Sequence, residues 1–290
     1  MPRSSVSRRS ASHRNWNPQT PVAPVTATVT SGIPAQEQLD SLLQERLDLH
    51  AQLFEAAQIQ RKLSGPRVLQ HGDVQFASEV FAAHYLSGDF VVLSHDGPKV
   101  LTIVGDIAGK GFAAGMWFTN LAGLLQSYAV PYSDPARTAA EINRHLCDLR
   151  PVAPFVTTFF AQMDCEAGTL VYCNAGHFPP ILLRADGRTE MLDKGGPLLG
   201  AVEHATFESD QATFAAGDLL VAYSDGVLEC RNSAGEEFGM ERLLHAVQRA
   251  KQPAAQETLV GLLAAVQDFA NGSSLCDDMS VLVIQRSWNY

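Results

Sequence analysis

From residue 68 onward the chain is written in short apolar runs bounded by Gly, Pro or Asp, as strands joined by turns require. These runs are 74–85, 89–94, 100–106, 157–165, 170–174, 181–184, 205–214, 218–224 and 280–286. Helical stretches interrupt them twice, each time as a pair: 112–129 with 135–149, then 238–250 with 254–271. That order excludes strict β-α alternation, the pattern of parallel sheets. It predicts an α+β chain with largely antiparallel sheets. Cys165-Glu166-Ala167-Gly168 and Ala185-Asp186-Gly187 read as hairpin turns.

A different pattern precedes the strands. Residues 36–63 hold no Gly or Pro and are rich in helix formers. A heptad runs through Leu39, Leu42, Arg46, Leu49, Leu53, Ala56, Gln60 and Leu63. Two readings stand side by side: a dimerising or signal-transmitting helix, and an amphipathic helix folded onto its own domain. Ser64-Gly65-Pro66 ends it. Residues 1–35 carry Arg3, Arg8, Arg9 and Arg14, no acid, and no apolar period, so they read as a disordered basic tail. The organisation expected is a tail over 1–35, a linker helix over 36–64 and a folded domain over 68–287.

Charge and composition narrow the function. A net charge of −10 argues against non-specific nucleic-acid binding, which needs Lys and Arg to neutralise phosphates. No uncharged apolar run approaches the ~20 residues of a membrane-spanning helix, and no apolar signal segment follows the polar first residues. The expectation is a cytoplasmic chain that touches no membrane. Cys147, Cys165, Cys173, Cys230 and Cys276 are widely spaced and odd in number, which reads as reduced thiols.

Four acidic places share one local setting, an Asp at the edge of an apolar strand beside small residues. They are Ser87-Gly88-Asp89-Phe90, Val104-Gly105-Asp106-Ile107, Tyr223-Ser224-Asp225-Gly226 and Leu275-Cys276-Asp277-Asp278-Met279. A carboxylate at the end of a buried strand must be paired, hydrogen-bonded or bound to metal. One such Asp is best read as a turn cap. Four are better read as a shared metal site. With no Cys or His ligand beside them they suit hard ions, Mg²⁺ or Mn²⁺. Two such ions activate a water and neutralise a phosphoryl group under attack.

Rival motifs fail. Gly105-Asp-Ile-Ala-Gly109-Lys110-Gly111 is one residue short of a Walker A loop and has Gly where Ser or Thr is needed. No H-E-x-x-H, G-x-S-x-G or strand-following G-x-G-x-x-G occurs.

Taken in order, S-G-D-F (87–90), G-D-I-A-G-K-G (105–111), T-T-F-F-A (157–161), N-A-G-H-F-P-P (174–180), Y-S-D-G-V-L-E-C-R-N (223–232), F-G-M-E-R-L (238–243) and D-D-M-S (277–280) resemble the bacterial metal-dependent serine phosphatases. These form the SpoIIE-like subfamily of the PPM family. The stretch 56–63 also resembles the A-x-x-I-Q-x-x-L signature of the helix before that domain. The resemblance implies an α-β-β-α sandwich of two antiparallel sheets flanked by helix pairs, with metal at one end. It implies a phosphoserine/phosphothreonine protein phosphatase that acts through metal-activated water and two Mn²⁺ or Mg²⁺. Asp106 would bridge the metals and Ile107 would add its carbonyl. Asp225 and Asp277 would hold the first metal, and Asp89 would serve the second. Asp278 is the lesser ligand of its pair. Lys110 and Gly111 would contact phosphate before a helix, or form a plain strand-to-helix turn. His177 would shuttle a proton, or serve as a loop histidine bonded to backbone. The implied substrate is a phosphorylated signalling regulator such as an anti-sigma factor antagonist. The heptad helix, rather than the resemblance, adds a homodimer or an activator docking on that helix as candidate partners.

The chain departs from the family pattern in three places. Ser87 replaces the first Gly of G-G-D-x-x-D, and Val92 stands where a second acid is usual. Ala108 replaces the usual serine, and also the histidine general acid of the broader family. These departures motivate an alternative, a degenerate phosphatase that binds phosphoprotein or relays a signal as a dimer.

Overall fold

The computed structural model describes residues 35–128, 133–250, 253–273 and 275–288. Apart from Ala35, the expected basic tail lies outside them. Helix α1 (Ala35–Leu63) runs unbroken and buries none of its residues completely. The chain divides into two compact units, Met1–Leu47 and Asp48–Tyr290, so the boundary falls within this helix. In the first unit the described residues are helical throughout.

The second unit continues from the latter part of α1 with β1 (Val68–His71), β2 (Val74–Phe81), β3 (Asp89–Asp96), β4 (Lys99–Ile107), α2 (Phe112–Tyr128) and α3 (Pro135–Asp148). There follow β5 (Val156–Asp164), β6 (Thr169–Ala175), β7 (Ile181–Leu183), β8 (Thr189–Met191), β9 (Gly195–Gly196) and β10 (Asp210–Thr213). It closes with β11 (Leu219–Tyr223), α4 (Asp225–Leu228), α5 (Gly239–Ala250), α6 (Ala255–Ala270) and β12 (Met279–Arg286). One sheet is ordered β1-β2-β12-β11-β7-β8 and the other β10-β6-β5-β4-β3. Neighbours in both are antiparallel, and short β9 adds to β6 in parallel.

The strands read as nearly continuous apolar runs because both faces of each sheet are covered. Along β12, Leu282 and Ile284 point into a core shared by the two sheets, with Phe76, Val104 and Phe159. The alternate residues Val281 and Val283 join Leu243, Val247, Leu259 and Leu262 under α5 and α6. On the other sheet, Ile103 and Phe160 pack beneath Phe118 of α2 and Ile142 and Leu146 of α3. Helices, sheet, sheet and helices thus form the α-β-β-α sandwich that the motifs imply. Three buried clusters of this kind supply the apolar burial that drives folding, about 25 cal/mol per Å² removed from water.

Several elements differ from the sequence reading. The run 74–85 is a strand only to Phe81. The run 205–214 pairs only over Asp210–Thr213. The reason is the edge it needs: β10 takes β6 from Thr169 to Tyr172, and β9 occupies Asn174 and Ala175. Residues 205–209 are left beside β9 instead, where the Glu208 N–H donates to the Gly195 carbonyl at 3.1 Å. The short strands β1 and β8 escape a pattern search because both are mostly exposed.

Antiparallel pairing decides where the acids go. Residue 89 begins β3 and residue 106 lies near the end of β4, and the register sets them opposite each other. In the facing sheet, Tyr223 ends β11 opposite Val281 of β12. Residues 224–225 and 277–280 therefore meet at one end of the sandwich.

Candidate metal centre

Asp89 is 3% exposed and faces Asp106 directly across the β3–β4 ladder. Like charges placed opposite in a sheet repel. Asp225 opens α4, one residue past Ser224, whose N–H donates to the Ser280 carbonyl. One carboxylate oxygen from each of Asp89, Asp106 and Asp225 lies within 4.8 Å of the others. Asp277 stands beside this trio rather than in it. Its Oδ2 accepts from Lys110 Nζ at 2.6 Å, and its Oδ1 accepts the Asp278 N–H at 2.9 Å. The Ile107 carbonyl lies against Gly88. A Cβ there would sit 2.9 Å from that oxygen and 3.3 Å from Asp106 Oδ1, so only Gly leaves both groups in place.

Electrostatics marks the trio as strained without a cation. Burial, then the Asp106 charge, pushes Asp89 well above the carboxylate range. Asp106 is pushed up to about 6 by burial and then by Asp225, Asp277 and Asp278. Burial and Asp277 raise Asp225 as well. Asp89 Oδ2 is buried with no hydrogen-bond partner. An all-oxygen donor set, crowded negative charge and an orphaned carboxylate oxygen fit a hard divalent ion such as Mg²⁺ or Mn²⁺.

A proton linkage follows. A carboxyl raised to about 6 must lose its proton before it ligates a cation, so Mn²⁺ binding at pH 6 releases protons. Below pH 6 the affinity falls by about tenfold per pH unit for each linked proton. Calorimetry at pH 6 in two buffers of different ionisation enthalpy reads the release directly. Equal heats in both buffers would contradict it. The stability sign is the reverse of the usual carboxylate case. The folded pKa of Asp106 lies above its unfolded value of 3.8, so its contribution is fully present below 3.8 and lost as pH rises through about 6.

The remaining residues singled out in the sequence take different places. Lys110 is exposed at the start of α2, ion-paired with Asp277, and its Nζ also donates to the Cys276 carbonyl at 3.4 Å. The carbonyl of Gly111 accepts the Gly115 N–H at 3.0 Å and closes the first turn of that helix. Burial pushes His177 down to about 4, so the ring is neutral at pH 7. Its Nδ1 lies 3.0 Å from Thr157 Oγ1, and its backbone N–H donates to Asn174 Oδ1 at 2.8 Å. Thr157 is the second cross-strand partner of Asp106. His177 is therefore a buried loop residue beside the strand that pairs with Asp106. Val92, in the place of the usual second acid, packs with the core under α2 and α3. A cleft of about 270 Å³ opens beside Lys110 and Asp277, with Glu229 and Arg231 in its wall. Asp278, expected from the resemblance as the lesser ligand of its pair, has both carboxylate oxygens on backbone N–H groups. It is 5% exposed and accepts the N–H groups of Ala83 and Gly88, each at 2.7 Å. The only signal for it was a second Asp immediately before a buried strand.

Stacked antiparallel sheets between helix pairs are the architecture of the PP2C phosphatase domains. The SiaA-PP2C domain of Pseudomonas aeruginosa matches with a TM-score of 0.71 at 17% identity, over 83% of this chain and 98% of that one. The chain belongs to the stage II sporulation protein E (SpoIIE) family, whose pattern matches residues 96–287. Protein IcfG of Synechocystis sp. is 27% identical over 234 residues, 71% of this chain and 37% of that protein. Phosphoserine phosphatase RsbU of Bacillus subtilis is 24% identical over 242 residues, 82% of this chain and 71% of that protein. The chain thus spans well under half of the first relative and about seven tenths of the second. Among the described residues, no helix is long and apolar enough to cross a membrane.

Proposed function

We propose that this chain is a Mn²⁺- or Mg²⁺-dependent phosphoserine/phosphothreonine protein phosphatase. The observation that carries the reading is the convergence of Asp89, Asp106 and Asp225, with a buried carboxylate oxygen left unpaired. Membership of a family with a relative named phosphoserine phosphatase supports it. Two ions would be held, with Asp106 shared, Asp225 and Asp277 on the first, Asp89 on the second and the Ile107 carbonyl as a further ligand. When bound, the metal supplies a nucleophilic water at neutral pH and neutralises charge on the phosphoryl group.

The chain's own residues do the rest. The four carboxylates fix the positive charge at the end of the sandwich. Lys110, at the start of α2 and on the wall of the cleft, offers an ammonium to the phosphate oxygens, aided by the helix N-terminus. Ala108 carries no proton donor, so protonation of the leaving hydroxyl would rest on metal-bound water rather than on this position. The substrate is a phosphorylated signalling regulator, such as an anti-sigma factor antagonist. Helix α1, which buries none of its residues completely, serves as the surface for a second copy or an activator.

Phosphate release from a phosphoserine protein, measured with and without Mn²⁺, tests the reading. Release that requires the metal and stops on chelation is the expected result. Turnover that is indifferent to chelation would overturn the mechanism. Binding of the phosphoprotein without any release would favour a degenerate binding module.

A further inference from the structure

We propose that Gln60 and Asp278 are positioning residues for Asp89. They lock the backbone of the connection 82–88 between β2 and β3, and so fix the carboxylate that follows it. The inference rests on the reading of the acidic cluster as a metal centre, and it concerns residues that touch neither metal nor substrate.

Packing holds the connection only at its end, through Leu86. It has no regular secondary structure, and His84 and Tyr85 are exposed. A cavity of about 350 Å³ opens between it, β2 and the end of α1, and Ser87 and Asp89 themselves lie in its wall. Leu86 is the apolar anchor, set tightly against Gly115 of α2.

Polar clamps do what packing leaves undone. Gln60, in the last turn of α1, donates from Nε2 to the Ser87 carbonyl at 2.6 Å and accepts the Ser87 N–H on Oε1 at 3.2 Å. Asp278 accepts the Gly88 N–H on Oδ2, while its Oδ1 accepts the Ala83 N–H. The Gly88 carbonyl accepts the Ile107 N–H at 3.2 Å. All four backbone polar groups of Ser87 and Gly88 are therefore taken, immediately before Asp89. The residue types match the task. A carboxamide offers one donor and one acceptor, which is what the N–H and C=O of a single residue require. A carboxylate offers two acceptors for two N–H groups, and charge-assisted bonds of this kind are short and strong. Partners behind a metal ligand set its orientation, and losing one typically weakens metal affinity by about 10–100-fold.

The test titrates Mn²⁺ calorimetrically into the metal-free full chain, natural and with Gln60→Ala, Gln60→Glu or Asp278→Asn. Each variant breaks the lock differently. Glu leaves the Ser87 carbonyl facing an oxygen, and Asn leaves one of two N–H groups facing an amino group. Mn²⁺ affinity is expected to fall by about tenfold in all three. The half-saturating Mn²⁺ for phosphate release should rise by the same factor, with kcat within twofold once Mn²⁺ saturates. Amide exchange at Gly88 and Asp89 should speed up in the metal-free variants. Unchanged affinity in Gln60→Ala and Asp278→Asn would overturn the proposal, and so would a loss of kcat that saturating Mn²⁺ does not restore. Absence of Mn²⁺ uptake by the natural chain would sink the metal reading instead. The two failures are distinguishable, because the exchange rates read the lock without metal: faster exchange in the variants keeps it, and unchanged exchange overturns it.

Discussion

Asp106→Asn is expected to abolish metal-stimulated phosphate release while raising the melting temperature of the metal-free protein. Both effects come from one place. Asp106 faces Asp89 across the ladder and lies beside Asp225, so its charge is the one most surrounded by others of the same sign. Removing that charge relieves repulsion in the empty centre and cannot relieve anything once a cation is bound. A metal contributes several kcal/mol of transition-state stabilisation. At about 1.4 kcal/mol per factor of ten, losing it lowers kcat by roughly a thousandfold. The opposite signs matter. A variant that lost activity because it was misfolded would melt lower, not higher. Phosphate release and thermal unfolding of the same preparation, in chelator and in Mn²⁺, read both quantities. Turnover within tenfold of the natural chain would refute the role of Asp106.

The contrast between Asp106 and Asp278 shows how much of this site the sequence could reveal. Asp89, Asp106, Asp225 and Asp277 were legible because each ends or begins a run too apolar to leave a carboxylate unexplained. Their convergence was not legible, since it depends on strand order: β12 lies between β2 and β11, which no local pattern states. Asp278 was visible as a residue and invisible as a clamp. Its partners, Ala83 and Gly88, are 195 and 190 residues away in the chain. The fold class was legible because the inner strands of both sheets are covered on both faces and are apolar nearly throughout. The strands missed or read too long at β1, β8 and β10 lie on sheet edges, where pairing alone decides the structure. Strand β2, an interior one, stops at Phe81 because its partner β12 begins at Met279. Helix α1 illustrates a different limit. Its heptad left self-packing and partner-binding open. Gln60, at one of its core positions, bonds to Ser87, and His50 lies 5.3 Å from Tyr85, so the end of this helix contacts its own domain. The same residues that complete a heptad also serve the loop before Asp89.

Gly226→Ala tests the joint that brings the two halves of the centre together, and its effect should be comparably large. Gly226 follows Asp225 at the start of α4 and passes directly over the backbone before β12. A Cβ at this position would lie 1.9 Å from the Asp278 carbonyl oxygen and 2.9 Å from its carbon. Both obstacles are backbone, so no rotamer change relieves them, and the loops bearing Asp225 and Asp277 must part. The cost should reach the upper end of overpacking, about 3 kcal/mol, which for a domain of this size lowers the melting temperature by roughly 10 °C. Mn²⁺ uptake should fail with it, because the parted loops carry ligands on opposite sides of the gap. Gly123→Ala supplies the control. Gly123 lies inside α2 with no atom within 4 Å of a Cβ placed there. That change should stabilise the helix by about 0.5–1 kcal/mol, the propensity gain of Ala over Gly, and leave Mn²⁺ binding untouched. Equal effects from the two substitutions would mean that the close approach at Gly226 does not hold the centre together. A large loss from Gly226 alone would show that the metal site depends on a backbone contact in which no ligand takes part.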